Sequence, residues 1–144
     1  MAKIKGLSAL SRQLRAMGPA VGGKTLRTAA MTATLPVLRQ AEATAPVRDT
    51  PLIQKTYKGN PKYPGYLSRN IIRKSLISRD KSFVRVMIGP TAEAFYGSAF
   101  VELGSSKMAA QPFLAPALQN NQDVVVDRLS KSIKRAIKKA AKTK

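Results

Sequence analysis

Ile71-Ile72-Arg73-Lys74-Ser75-Leu76-Ile77-Ser78-Arg79-Asp80-Lys81-Ser82-Phe83-Val84-Arg85-Val86-Met87-Ile88 is the stretch that decides the fold. Its two runs, 71–78 and 82–88, are rich in β-branched and apolar residues, and Arg79-Asp80-Lys81 separates them. Phe83, Arg85 and Met87 alternate with Val84, Val86 and Ile88, so the valine face is the more uniformly apolar one. This pattern predicts a β-hairpin over about 71–88 with one covered side. Gly89-Pro90 is expected to end it.

Upstream, the periodicity changes to that of helices. Ile4, Leu7, Leu10, Leu14 and Met17 recur at spacings of three and four, and Gly18-Pro19 should stop that helix, with Gly22-Gly23 continuing the break. A second helical pattern runs from about Lys24 to Thr44, with Leu26, Ala30, Ala33, Val37 and Ala41 on one stripe. Pro36 lies inside it and should kink or split it, because proline removes one ladder donor. The helices thus cover about 3–44, and Pro46 marks their end. Residues 46–66 read as a long loop of Pro, Gly and Asn, with Lys55, Lys58 and Lys62 interleaved with Tyr57, Tyr63 and Tyr66. That loop suits either a nucleic-acid or partner contact or a solvated insertion folded against its neighbours.

Downstream of the hairpin, Phe95-Tyr96-Gly97-Ser98-Ala99-Phe100-Val101-Glu102-Leu103 breaks at Gly104. A last helix is expected over about 114–141, with Leu118, Val125, Leu129, Ile133, Ile137 and Ala140 on one stripe. Pro112 and Pro116 preset its start, Phe113 anchors it in the core, and Gly104 supplies the positive φ of a tight turn. Glu102 is positioned to accept backbone or Arg hydrogen bonds near that turn, or to contact another subunit. The whole of 1–144 reads as one α+β domain, a small antiparallel sheet packed by N-terminal helices and a long C-terminal helix.

Composition narrows the function. Cysteine and histidine are both absent, which removes thiolate nucleophiles, cysteine zinc sites and imidazole bases. The seven carboxylates are scattered, with no spacing that suggests a metal site or an acid/base pair, so no catalytic residue, metal or cofactor is expected. Twenty-six Lys and Arg give a formal net charge of +19, which attracts nucleic acid, acidic protein surfaces or anionic membranes. The cations gather at the end of the last helix, where Lys131, Lys134, Arg135, Lys138, Lys139 and Lys142 are candidates for an anionic partner or DNA. No run of 18 or more apolar residues exists and the basic N-terminus lacks the apolar stretch of a signal peptide, so assembly in the cytoplasm is expected.

Four stretches occur in a telling order: Ala45-Pro46-Val47, Gly65-Tyr66-Leu67-Ser68-Arg69-Asn70-Ile71, Phe95 through Ser105, and Gln111-Pro112-Phe113-Leu114-Ala115-Pro116-Ala117-Leu118. Together they resemble a family of small siphophage morphogenesis proteins, the head–tail joining or tail-completion components, over roughly residues 30–135. Gly97, Leu103 and Ser105 depart from the alanine, aromatic and threonine more usual there, and the loop before Gly65 is longer. The resemblance implies a non-enzymatic virion protein that forms a homo-oligomeric ring, sixfold, at the neck or the head-proximal end of the tail. It implies neighbouring neck and tail proteins as partners, with non-specific contact to packaged DNA through the basic helix and no membrane. A tail terminator ring is a close alternative. A free, sequence-blind nucleic-acid-binding protein is the alternative from another class, and a membrane-surface protein is disfavoured by the lack of bulky anchors on the cationic helix.

Overall fold

The computed structural model describes residues 12, 16, 19–47, 54–55, 58–59, 61–79 and 83–142. The elements are α1 (Pro19–Ala33), α2 (Leu35–Thr44), β1 (Gln54–Lys55), β2 (Pro61–Lys62), α3 (Tyr66–Arg69), β3 (Ile71–Ile77), β4 (Val84–Pro90), α4 (Ala92–Leu103), α5 (Leu114–Asn120) and α6 (Gln122–Lys142). The chain is α+β, with small antiparallel two-stranded sheets and a long C-terminal helix, as the sequence predicts.

The hairpin forms where expected. At its tip the Ser78 amide donates to the Phe83 carbonyl at 3.1 Å, and the Phe83 amide donates to Ser78 Oγ at 3.1 Å. Val84, Val86 and Ile88 are half-buried while Phe83, Arg85 and Met87 are exposed. β4 continues through Gly89 and Pro90 rather than stopping before them. Both strands of a two-stranded sheet are edges, where proline's missing donor costs no ladder bond.

Several sequence-based boundaries are corrected. The helical pattern over Ile4–Met17 lies outside the described residues except for Arg12 and Ala16, which are helical. α1 begins at Pro19 and runs through Gly22-Gly23, which were expected to break it. Proline is favoured in a first helical turn, and each glycine costs only about 1 kcal/mol against alanine. The split near Pro36 falls at Thr34, whose Oγ1 donates to the Ala30 carbonyl at 2.9 Å. The 46–66 loop holds a short antiparallel ladder, Gln54 opposite Lys62 and Lys55 opposite Pro61, with Gly59 at φ 85° between them. Two-residue strands are too short to show an alternation. FYGSAFVEL, left without an assigned element, lies within α4.

The expected 114–141 helix is two helices, broken at Asn121. Asn121 Nδ2 donates to the Ala117 carbonyl at 2.8 Å and also to Gln40 Oε1, and its amide turns back to the Leu118 carbonyl at 3.2 Å. Asparagine side chains compete with backbone groups in this way and favour helix ends.

The chain forms two compact units. The first comprises Met1–Leu35, Ser75–Val86 and Asp123–Lys144, and the second Pro36–Lys74 and Met87–Gln122. In the first, Ala29 of α1 and Ile133 of α6 are buried together, with Leu26, Leu129 and Ile137 packed against them. Arg27 Nε donates to Ser75 Oγ at 2.7 Å, tying α1 to β3 in the same unit. The second unit buries Val37, Ala41, Ala45, Ile71, Ala94, Phe113 and Ala117, among which Phe113 is the one large, fully buried side chain.

Ile133→Ala should lower stability by about 2–5 kcal/mol, the usual cost of truncating a buried isoleucine. Urea unfolding followed by circular dichroism measures it.

Candidate functional site

The residues singled out between α4 and α5 form one joint. α4 ends at Gly104, with φ 78° and ψ 176°, a conformation open essentially to glycine alone. Its amide donates to the Phe100 carbonyl at 2.8 Å. A Cβ at Gly104 would stand 2.9 Å from the Ala110 backbone nitrogen, so close approach demands glycine a second time. Ser105 and Met108 then bridge, and the Gln111 amide donates to the Val101 carbonyl at 2.8 Å, bringing the chain back along α4.

There Glu102 meets the start of α5. Its Oε2 accepts from the amides of Phe113 at 2.9 Å and Leu114 at 3.1 Å, and its Oε1 accepts from Ala115 at 3.0 Å. The first turn of any helix leaves amides with no partner inside the helix. Here three of them end on one carboxylate, and Pro116 has no amide to satisfy. The Ala117 amide then reaches the Phe113 carbonyl at 3.3 Å, and the helix is closed. Phe113 offers no side-chain oxygen at the capping position, so Glu102 supplies the cap from eleven residues upstream. A carboxylate is also favoured by the positive end of the helix.

Burial opposes the charge on Glu102, but the amides of Phe113, Ala115 and Leu114 outweigh it and hold the pKa below the ordinary carboxyl value. The structure therefore brings Glu102, Gly104, Phe113 and Pro116 together, while Pro112 lies exposed just before the helix.

The cationic residues of α6 are elsewhere. Lys131, Lys134, Arg135, Lys138 and Lys139 are exposed, away from the stripe of Leu129, Ile133 and Ile137 that packs on α1. The side chain of Lys142 lies outside the described residues. Lys131 Nζ pairs with Asp127 at 2.7 Å, one helical turn away. In the 46–66 segment, Lys62 Nζ sits 5.7 Å from the centre of the Tyr66 ring and Lys58 pairs with Glu93 at 3.2 Å. Tyr57 lies outside the described residues.

Sequence reasoning missed the outer face of α4. Its buried residues are Ala94 and Ser98, whose hydroxyl donates to the Phe95 carbonyl at 2.8 Å. Its large apolar residues point outward: Phe95 is 62% exposed, Tyr96 75%, Phe100 41% and Leu103 80%. Tyr96 and Phe100 stack edge to face, with ring centroids 4.9 Å apart. A helix normally turns its bulky apolar side chains inward. The signal was present in the spacing of Tyr96, Phe100 and Leu103 against a small-residue stripe.

Among the described residues no three of His, Cys, Asp and Glu gather as a metal site would need, and no helix is long and apolar enough to cross a membrane. No protein-family model, curated protein or solved structure matches the chain.

Two outcomes follow for the joint. Glu102→Ala should cost about 0.5–2 kcal/mol, since the part-buried start of α5 loses its charged cap. Because folding lowers its pKa, Glu102 stabilises the protein fully above the unfolded-chain value of about 4.3 and loses that contribution as pH falls through the lower folded value. Chemical denaturation between neutral and acid pH should show this decline in wild type and a shallower one in Glu102→Gln.

Proposed function

We propose that the chain is a non-enzymatic structural protein of a tailed bacteriophage, assembling as a ring at the head–tail junction in the role of a tail-completion or neck component. The observation that carries the reading is the joint between α4 and α5. The stretches most characteristic of the resemblance, Phe100-Val101-Glu102-Leu103-Gly104 and Pro112 through Leu118, fold onto each other through Glu102. Their residue types have a shared structural purpose, which supports reading them as one motif. The outward aromatic face of α4 supports assembly, since a soluble monomer seldom exposes contiguous large apolar side chains without a partner for them. A homo-oligomeric, sixfold ring within the virion, touching neighbouring neck and tail proteins, follows from the resemblance.

The lysate of a phage carrying a stop codon in this gene tests the proposal by electron microscopy. Filled heads and finished tails lying unjoined support it, overlong tubes point to a terminator ring, and normal virions sink it.

The exposed cations of α6 favour a second reading, sequence-blind DNA binding, either by the ring to DNA in the neck or by a free protein. Such binding is driven by counterion release and weakens steeply with salt. Replacing Lys131, Lys134 and Lys138 by glutamine should reduce the slope of log affinity against log salt by about two to three, equally for unrelated duplexes. Fluorescence anisotropy across a salt series measures it, and an unchanged slope removes DNA from this face.

A further inference from the structure

We propose that the outer face of α4 is the contact made with a second copy of this chain, and that it receives the exposed Leu76 and Phe83 of that copy's β3–β4 hairpin. This rests on the ring reading and names its interface. Two observations select the occupant. The first is charge. Between Arg85 and Arg128 the sequence holds a single cation, Lys107, although the whole chain carries 26. α4 lies inside that span, its charged residues are Glu93 and Glu102, and its last turn has no basic residue. A helix C-terminus carries partial negative charge that a nearby cation complements, and here the chain itself supplies none in that turn. Copies with a net charge of +19 repel one another over most of their surface. By contrast, α4 carries no cation of its own and the Lys58 ammonium beside it is paired with Glu93 at 3.2 Å, so a second copy meets less repulsion there.

The second observation is the shape and chemistry of the hairpin. Leu76 and Phe83 are each 53% exposed, and Arg79 and Arg85 beside them in sequence are exposed too. That surface is apolar with cations at its margin. The face of α4 is apolar with a negative helix end at Leu103. Each offers what the other lacks, and the patches differ from each other. A contact between unlike patches of identical subunits is head-to-tail, the kind that propagates into a closed ring. Nucleic acid is a poor occupant for α4, because no cation of that helix can meet a phosphate.

Sedimentation velocity on the full chain tests this. One variant carries Tyr96→Lys and Leu103→Lys, the other Leu76→Lys and Phe83→Lys, and thermal melting checks that both remain folded. Leu103→Lys alone, at an 80% exposed position, stands in should the first pair unfold. Each folded variant should self-associate roughly a hundredfold more weakly than wild type, about tenfold for each anchor lost. Mixed, the two should form a 1:1 dimer and stop there, since the mixture rebuilds a single intact interface. A folded α4 variant that assembles like wild type overturns this surface while leaving the ring reading standing. A mixture that stays monomeric overturns the pairing with the hairpin. Wild type that is monomeric at every concentration overturns both.

Discussion

Three backbone amides at the start of α5 have no partner except one carboxylate, and that carboxylate belongs to another helix. Glu102 thereby fixes the junction of α4 and α5 within the second unit. For its side chain to reach residues 113–115, the chain must reverse within a few residues of the end of α4. The reversal needs a backbone conformation that only Gly104 adopts, against an Ala110 nitrogen that leaves no space for a side chain. With α5 started in that position, Phe113 and Ala117 are buried. A neutral side chain at 102 would leave the amides in place but remove the charge that matches the helix's positive end.

The two units are held by different means. The first relies on branched aliphatic side chains, Leu26 of α1 against Leu129, Ile133 and Ile137 of α6. The second buries mostly alanines, with Val37 and Ile71 beside them and Phe113 as its one large, fully buried side chain. Apolar burial stabilises in proportion to area, at about 25 cal/mol per Å², so alanines contribute little each. The aromatics that would add most area stand outside on α4 instead. That inversion places much of the unit's remaining hydrophobic driving force at its surface, where it serves association rather than folding.

Legibility in the sequence followed the range of the signal. The hairpin was plain because alternation over Phe83–Ile88 is local, and Pro36 announced the break before α2 for the same reason. The role of Gly104 as a turn was legible from residue type, as was burial of Phe113. The break at Asn121 was not, because a helical stripe continues through it and the bonds that stop the helix come partly from Gln40 of α2. Glu102 was marked as a hydrogen-bond acceptor near a turn, but its three partners lie eleven to thirteen residues away and could be named only once the chain was folded. Gly22-Gly23 misled in the other direction, since packing of α1 against α6 outweighs glycine's weak helix preference. The face of α4 was missed because FYGSAFVEL was not divided into its two helical stripes, the small residues that turn inward and Tyr96, Phe100 and Leu103 that turn outward.

The helix breaks at Thr34 and Asn121 fall within two residues of places where the chain passes from one unit to the other. Two further passages occur along the hairpin, between Lys74 and Ser75 and between Val86 and Met87. The backbone therefore commutes between the units four times. Neither unit can be excised as one continuous fragment or shuffled between genes as a cassette, and the second is complete in the growing chain before the first. The first unit waits for α6, the last element made, so nascent chains emerge with α1 still lacking the helix that covers it.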